Sequence, residues 1–526
     1  MRYRKSLLAL LLMLALLLTA CGNAAAPAES AAEEIEQQEN AYERLPDEPY
    51  EPVAYNLYPA PEGGYVGDVM PYVTDDGQLE LYYLFDTDTN GQGYHPIYEY
   101  STHDLCGYED HGMVLNYGQM SDPDPALGTG CVMKDREGLY HLFYTGHNDT
   151  GNGGLGKECV MVATSTDREN WEKNPEPLFF PPENYSHDDF RDPEVFWVED
   201  DQCYWLLIAG RDNELGGVVA KYTSTDLENW EFQGHIYAPK AQFMLECPDL
   251  FEINGTWYLT YSWDCVTYYA IGESMNGPFT APEDNILDGQ GTTPGNSFIF
   301  YAAKTARIGD DVYLCGWLGR AGLSGDSGIY QWAGNLLNHQ LVQHEDKTLG
   351  LKAPDTFENY FTQDKNFQAV AVEGEAEING SNIALKADGE GYALADMGTR
   401  APTMTLECDV TMDPNSRVGF AFGGSEKDPI YTALCLDGPR NLIRYEGYEI
   451  SEMAQYDPAA FTRFDFSANS THHVKLVCEN EIVVLYIDNM KALSSRIFHS
   501  TEGAHIGVFA DGCEASFDNI SMKIPG

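Results

Sequence analysis

Five short aromatic-aliphatic segments recur along the first two thirds of the chain, and this repetition limits the fold more than any other feature. Their centres are Tyr82, Leu142, Leu206, Leu259 and Leu314, spaced by 60, 64, 53 and 55 residues. Turn signals such as Asp75-Asp76-Gly77, Glu137-Gly138 and Asn254-Gly255 stand just before several of them, which reads as hairpins. Two repeats share a further strand and turn, Thr164-Ser165-Thr166-Asp167-Arg168-Glu169-Asn170-Trp171 and Thr223-Ser224-Thr225-Asp226-Leu227-Glu228-Asn229-Trp230. A unit of about 55 residues holding several strands is the size of one four-stranded propeller blade. No run carries apolar residues at helical spacing over ten or more positions. The expectation is an all-β chain with a five-bladed β-propeller over residues 51–352.

The periodicity ends near Lys352. Residues 353–526 hold many short strand-like segments between Gly, Asn and Asp, which predicts a C-terminal β-sandwich, with 357–366 as the linker. At the other end, Arg2, Arg4 and Lys5 precede an apolar run to Ala20, too short for a permanent membrane span. Leu18-Thr19-Ala20-Cys21 resembles a bacterial lipobox. Residues 1–20 thus read as a lipoprotein signal peptide, Cys21 as the acylated residue and 21–50 as a disordered acidic spacer. This places the protein on the bacterial cell surface, lipid-anchored to the outer face of the membrane.

Charge narrows the partners. With 30 Lys plus Arg against 83 Asp plus Glu the formal charge is −53, so nucleic acid and anionic membrane surfaces are disfavoured and the N-terminal lipid is the expected membrane contact. The eleven cysteines beyond Cys21 are scattered singly without a CxxC pair, so neither a metal site nor a disulfide framework is expected.

Three acids stand at comparable places near the first strand of a blade: Asp68 in Gly67-Asp68-Val69-Met70-Pro71, Asp192 in Phe190-Arg191-Asp192-Pro193, and Glu246 in Leu245-Glu246-Cys247-Pro248. Innermost strands line the central channel of a propeller, so the three carboxylates are expected to converge at one mouth. Glycoside hydrolysis needs such a set, one acid to protonate the leaving oxygen and one carboxylate to attack or to activate water. Crowding also holds one of them protonated near neutrality.

These motifs resemble glycoside hydrolase family 32. Arg191-Asp192-Pro193 is similar to its "RDP" motif and Glu246-Cys247 to its "EC" motif. Tyr144-Thr145-Gly146-His147-Asn148 and Leu127-Gly128-Thr129-Gly130-Cys131 are similar to its "YTGN" and "FSGS" segments. Leu485-Tyr486-Ile487-Asp488-Asn489 with Ser495-Arg496-Ile497-Phe498 resembles its sandwich. The resemblance implies a propeller plus sandwich that cleaves β-fructofuranosidic bonds of sucrose or fructans with retention and without a cofactor. It implies Asp68 as nucleophile, Asp192 as transition-state stabiliser and Glu246 as general acid/base. The family's "WMNDPNG" segment is absent; Gly64-Tyr65-Val66-Gly67-Asp68-Val69-Met70-Pro71 stands in its place.

Arg191 is expected to hold a sugar hydroxyl or a carboxylate, or to neutralise the acids. Asp86, His95, Thr129, Trp317 and Lys304 complete the candidate substrate-binding set. Two other readings stay open at this point, an inverting arabinan or xylan hydrolase resembling family 43 and a non-catalytic lipoprotein that captures carbohydrate. Preference among sucrose, inulin and levan, and exo against endo cleavage, are set by loops around the channel mouth.

Overall fold

The computed structural model describes residues 45–526 apart from 88–94, 242, 293–294, 296, 322–325, 327, 388, 390, 427–428 and 501–502. The signal segment, Cys21 and most of the spacer lie outside the described residues.

Twenty strands form five antiparallel meanders between Tyr65 and Lys352. The innermost strands are Tyr65–Val73, Ala126–Lys134, Tyr185–Val198, Glu246–Ile253 and Phe300–Ile308. Each lies beside the next in chain order, and the fifth lies beside the first, so the ring closes as a five-bladed propeller. The closure is reinforced where the fifth blade pairs with the first through Val66 and Gly334. Chain reversal at the outer ends of the innermost strands uses the expected turns; Gly77 and Gly138 take φ of 85° and 93°, conformations that a side chain disfavours.

The five repeat centres all have 0 % exposure. Burying each such leucine contributes about 1.5–3 kcal/mol, which is why the aromatic-aliphatic pattern recurs in every blade. The duplicated Asn-Trp motif is a structural turn. The Asp167 carboxylate accepts the backbone N–H groups of Glu169 and Asn170, and the Trp171 indole donates to the Arg168 carbonyl; Asp226 and Trp230 repeat the pattern.

Beyond the propeller two antiparallel sheets carry the C-terminal third, one running through Thr403–Met412 and Glu514–Ile524, the other through Arg417–Gly423 and His505–Asp511. The segment expected as a linker is not a loose tether. Phe357–Tyr360 forms one helical turn, and Phe357 and Phe361 are buried in a core shared by propeller and sandwich. No helix among the described residues is long and apolar enough to cross a membrane. The eleven described cysteines are free thiols, nine of them buried.

Propeller and sandwich are fastened by buried polar groups. Arg496 donates to the Leu318 and Gly319 carbonyls, Asn335 and Glu481. Glu479 accepts the N–H groups of Asn56, Leu57 and Tyr58, pinning the segment that enters the first blade.

Candidate active site

Every innermost strand is broken by a bulge near the same end of the blade. Gly67-Asp68, Asp192-Pro193, Cys247-Pro248 and Ala302-Ala303 each place two residues against one on the adjacent strand, and the second blade carries one extra residue, Thr129. A bulge re-aims side chains that a regular strand would alternate between faces. Asp192, Cys247 and Ala302 take φ of 62°, 50° and 53° there, a left-handed conformation that costs on the order of 1 kcal/mol or more for residues other than Gly.

The blades hold these turns in a common way. The Asp192 N–H donates to Thr145 Oγ1 at 2.9 Å and the Ala302 N–H to Ser262 Oγ at 3.1 Å, a hydroxyl of the preceding blade in each case. At the fourth blade the equivalent N–H, that of Cys247, donates instead to Asp192 Oδ2 at 2.9 Å. The bulge therefore aims one catalytic candidate and fixes the neighbour that it bonds.

Asp68, Asp192 and Glu246 converge, as expected, but they do not occupy equivalent positions. Glu246 immediately precedes its bulge, Asp192 is the first bulged residue of its strand and Asp68 the second. Three successive bulge positions on three blades thus aim carboxylates at one point. The residues equivalent to Glu246 on the flanking blades are Arg191 and Tyr301, and both donate to it. Arg191 Nε and Nη2 reach Glu246 Oε1 at 3.1 and 2.8 Å, and the Tyr301 hydroxyl bonds Oε2. Trp317, with 0 % exposure, donates its indole N–H to Asp68 Oδ1 at 3.1 Å.

Burial raises Asp68 to about 8, with the charges of Asp192 and Glu246 adding to the effect. Burial likewise raises Asp192 to about 7, Glu246 adding and Arg191 opposing. Like charges so placed in a desolvated pocket cannot all ionise near neutrality, so the cluster retains a shared proton.

One residue past each bulge lies a second layer. Lys304 donates to the Gly130 carbonyl at 2.6 Å and to Glu194 at 2.8 Å, tying the fifth, second and third blades across the channel. At 1 % exposure its ammonium is buried against Gly130 and Glu194, which differs from the expectation that Lys304 contacts substrate. Burial raises Glu194 to about 7, against the opposing charge of Lys304.

A cavity of about 270 Å³ opens beside the trio, lined by His95, Met120, Thr145, His147, Glu158 and Arg191 among others. Asp86 faces it indirectly, bonded by Arg320 at 2.8 Å with His95 Nδ1 at 3.6 Å. Burial pushes His95 down, Asp86 opposing. Thr129 is buried at the second-blade bulge; its carbonyl accepts from Thr145, and its hydroxyl has no hydrogen-bond partner among the described residues. A larger groove of about 750 Å³ on the sandwich holds none of these groups.

Sequence reasoning missed two residues. Tyr301 sits at the bulge position equivalent to Arg191 and Glu246, a signal legible only once the bulges are aligned. Glu158, 5 % exposed, accepts both the Arg191 guanidinium, at 2.9 and 3.1 Å, and the Phe190 N–H at 2.6 Å. Burial raises Glu158, but Arg191, His147 and that N–H outweigh it and leave the carboxyl below its ordinary range.

Residues 59–352 match the model of the glycosyl hydrolases family 32 N-terminal domain, more than half of the 526-residue chain. The chain belongs to glycosyl hydrolase family 32. This decides against the family 43 resemblance. A sucrose-6-phosphate hydrolase of Vibrio alginolyticus is 28% identical, the alignment covering 53% of this chain and 58% of the relative. A levanbiose-producing levanase of Bacillus subtilis is 22% identical, with 85% and 86% covered. The chain spans about half the length of some curated relatives that it matches. Among solved structures, the exo-inulinase of Aspergillus awamori superposes with a TM-score of 0.69 at 16% identity, covering 90% of this chain and 98% of that one.

Proposed function

We propose that this family 32 chain is a retaining fructosidase that hydrolyses β-fructofuranosidic bonds of unphosphorylated sucrose or fructan. The observation that carries the reading is Glu246, gripped by Arg191 and Tyr301 beside the buried Asp192 and the half-buried Asp68. In the first step the Asp68 carboxylate bonds the anomeric C2 of fructose. The glycosidic C2–O bond breaks, and its oxygen takes the proton of Glu246. Water then attacks C2 and gives its proton to Glu246, and the C2–Asp68 bond breaks. Asp192, oriented by the Cys247 N–H, grips the sugar hydroxyls as positive charge develops on the ring.

This sequence needs a single proton in the trio, on Glu246. Without ligand, Arg191 and Tyr301 hold Glu246 by hydrogen bonds while burial favours a neutral Asp68. Productive binding therefore has to leave Asp68 ionised as the glycosidic oxygen arrives.

Electrostatics favour a neutral substrate. Each cation around the cavity already faces carboxylates: Arg191 bonds Glu158 and Glu246, His147 lies by Asp149 and Glu158, and Arg320 bonds Asp86. A sugar phosphate would add a dianion to this acidic mouth without displacing one. The basic start, apolar run and Cys21 support secretion and lipid attachment at the outer cell surface, which Cys21→Ser would abolish in a lipid-labelling experiment.

The test incubates the chain from residue 22 with sucrose, inulin, levan, sucrose 6-phosphate and arabinan and follows the products by NMR. Fructose-containing products from unphosphorylated substrates, released with retained configuration and lost in Asp68→Asn and Glu246→Gln, are expected. Arabinose release, or binding without turnover, refutes the assignment. Efficient cleavage of sucrose 6-phosphate refutes the preference for neutral sugars.

A further inference from the structure

The guanidinium of Arg191 is shared. Its Nε and Nη2 edge faces Glu246, while Nη1 bonds both oxygens of Glu158. Glu158 opens the third strand of the second blade, Glu158–Ser165, and Arg191 immediately precedes the bulge of the third blade. The Phe190 N–H donates to Glu158, so the carboxylate holds both the side chain of Arg191 and the backbone leading into it. Its remaining charged neighbour is His147, with Nδ1 at 3.5 Å from Oε1 and Nε2 at 3.3 Å from Asp149. Asp189 lies 3.7 Å from Arg191 Nη1.

We infer that Glu158 is a positioning residue that sets how much of the Arg191 charge reaches the general acid Glu246. The inference rests on the fructosidase reading above. A guanidinium divided between two carboxylates offers each less than one devoted to either. With Glu158 neutralised, the full cation would fall on Glu246, and the proton that Glu246 must donate would be held less tightly. Tyr301, Asp68 and Asp192, which also face Glu246, stay in place. Glu158 also lines the cavity, yet its two oxygens already carry three donated bonds, so its effect on substrate passes through Arg191.

The experiment measures kcat/KM against pH for the wild-type protein, Glu158→Gln and Glu158→Asp, with melting temperatures alongside. In Glu158→Gln the basic limb of the profile is expected to move down by about one pH unit, so activity falls about tenfold on that limb and recovers at lower pH. Glu158→Asp keeps the charge and withdraws it by one methylene; its limb moves in the same direction by a smaller amount. If Glu158→Gln does not fold, the shift in Glu158→Asp decides. A uniform loss at all pH values, or an unmoved limb in folded variants, overturns the inference. Absence of fructosidase activity in the wild-type protein would instead overturn the function on which it rests.

Discussion

Replacing Tyr301 by Phe removes a single oxygen from the site, and the structure indicates what that oxygen does. The ring is 4 % exposed and packed edge-on against Phe298 and Trp317, with centroids 5.0 and 5.8 Å away, so Phe keeps its place. Only the hydroxyl bond to Glu246 Oε2 disappears, leaving the carboxylate held by Arg191 on its other oxygen. A hydrogen bond to a charged group contributes about 1.5–3 kcal/mol. If most of this acts in the transition state, kcat falls by about 10- to 100-fold. KM should stay within about twofold, because the hydroxyl serves Glu246 and not the sugar. Steady-state fructose release tests this, with Glu246→Gln and the double variant completing a cycle. In the Glu246→Gln background the tyrosine substitution should cost less than about twofold, since the group it positions is already disabled. A rise in KM at unchanged kcat would place Tyr301 on the substrate and refute the reasoning.

Three further outcomes follow from buried charge. Asp68 is raised to about 8 from an ordinary value near 4, so the stability it contributes is present in full below about pH 4 and lost as pH rises through 8. Asp68→Asn should therefore melt higher than wild type at pH 8, the gap closing towards pH 4; a gap that widens on acidification would be contrary. Lys304→Met strands Glu194 and the Gly130 carbonyl and should destabilise by about 3–5 kcal/mol in denaturant unfolding, partly rescued by Glu194→Gln. Arg496→Met removes the bonds to Leu318, Gly319, Asn335 and Glu481 and should cost a similar amount, about 3–5 kcal/mol. Wild-type melting in that variant would mean that the Arg496 bonds add nothing net to the interface.

The blades were legible in the sequence because burial repeats. Tyr82, Leu142, Leu206, Leu259 and Leu314 lie on the second strand of five successive blades, each fully buried, and hydrophobic burial demands the same kind of residue each time. Arg191, Asp192 and Glu246 were legible through short motifs, and Trp317 through its place at the end of a repeated strand. Lys304 was misread because its role depends on what lies across the channel. A lysine on an innermost strand reads as a substrate hand until its buried ammonium is seen bonded to Gly130 and Glu194.

The site itself follows a different logic from the repeat that carries it. Comparing blades by residue type sets Asp68, Asp192 and Glu246 at one position; the registers set them at three successive ones. A bulge turns neighbouring residues in different directions, so carboxylates staggered over three bulge positions can face a single ring from different sides. The same stagger explains the supporting groups. The position that presents Glu246 on the fourth blade presents Arg191 on the third and Tyr301 on the fifth, so the acid is flanked by donors from both sides. Asp192 lies one position further and is oriented by the Cys247 N–H immediately after Glu246. Swapping Asp192 with its neighbour, as Asp192→Pro with Pro193→Asp, would preserve composition and net charge while removing the N–H that Thr145 accepts. It would also move the carboxylate away from Cys247. Activity should be lost in that swap, because proline cannot take the φ of 62° at position 192 and the bulge that aims the carboxylate would not form.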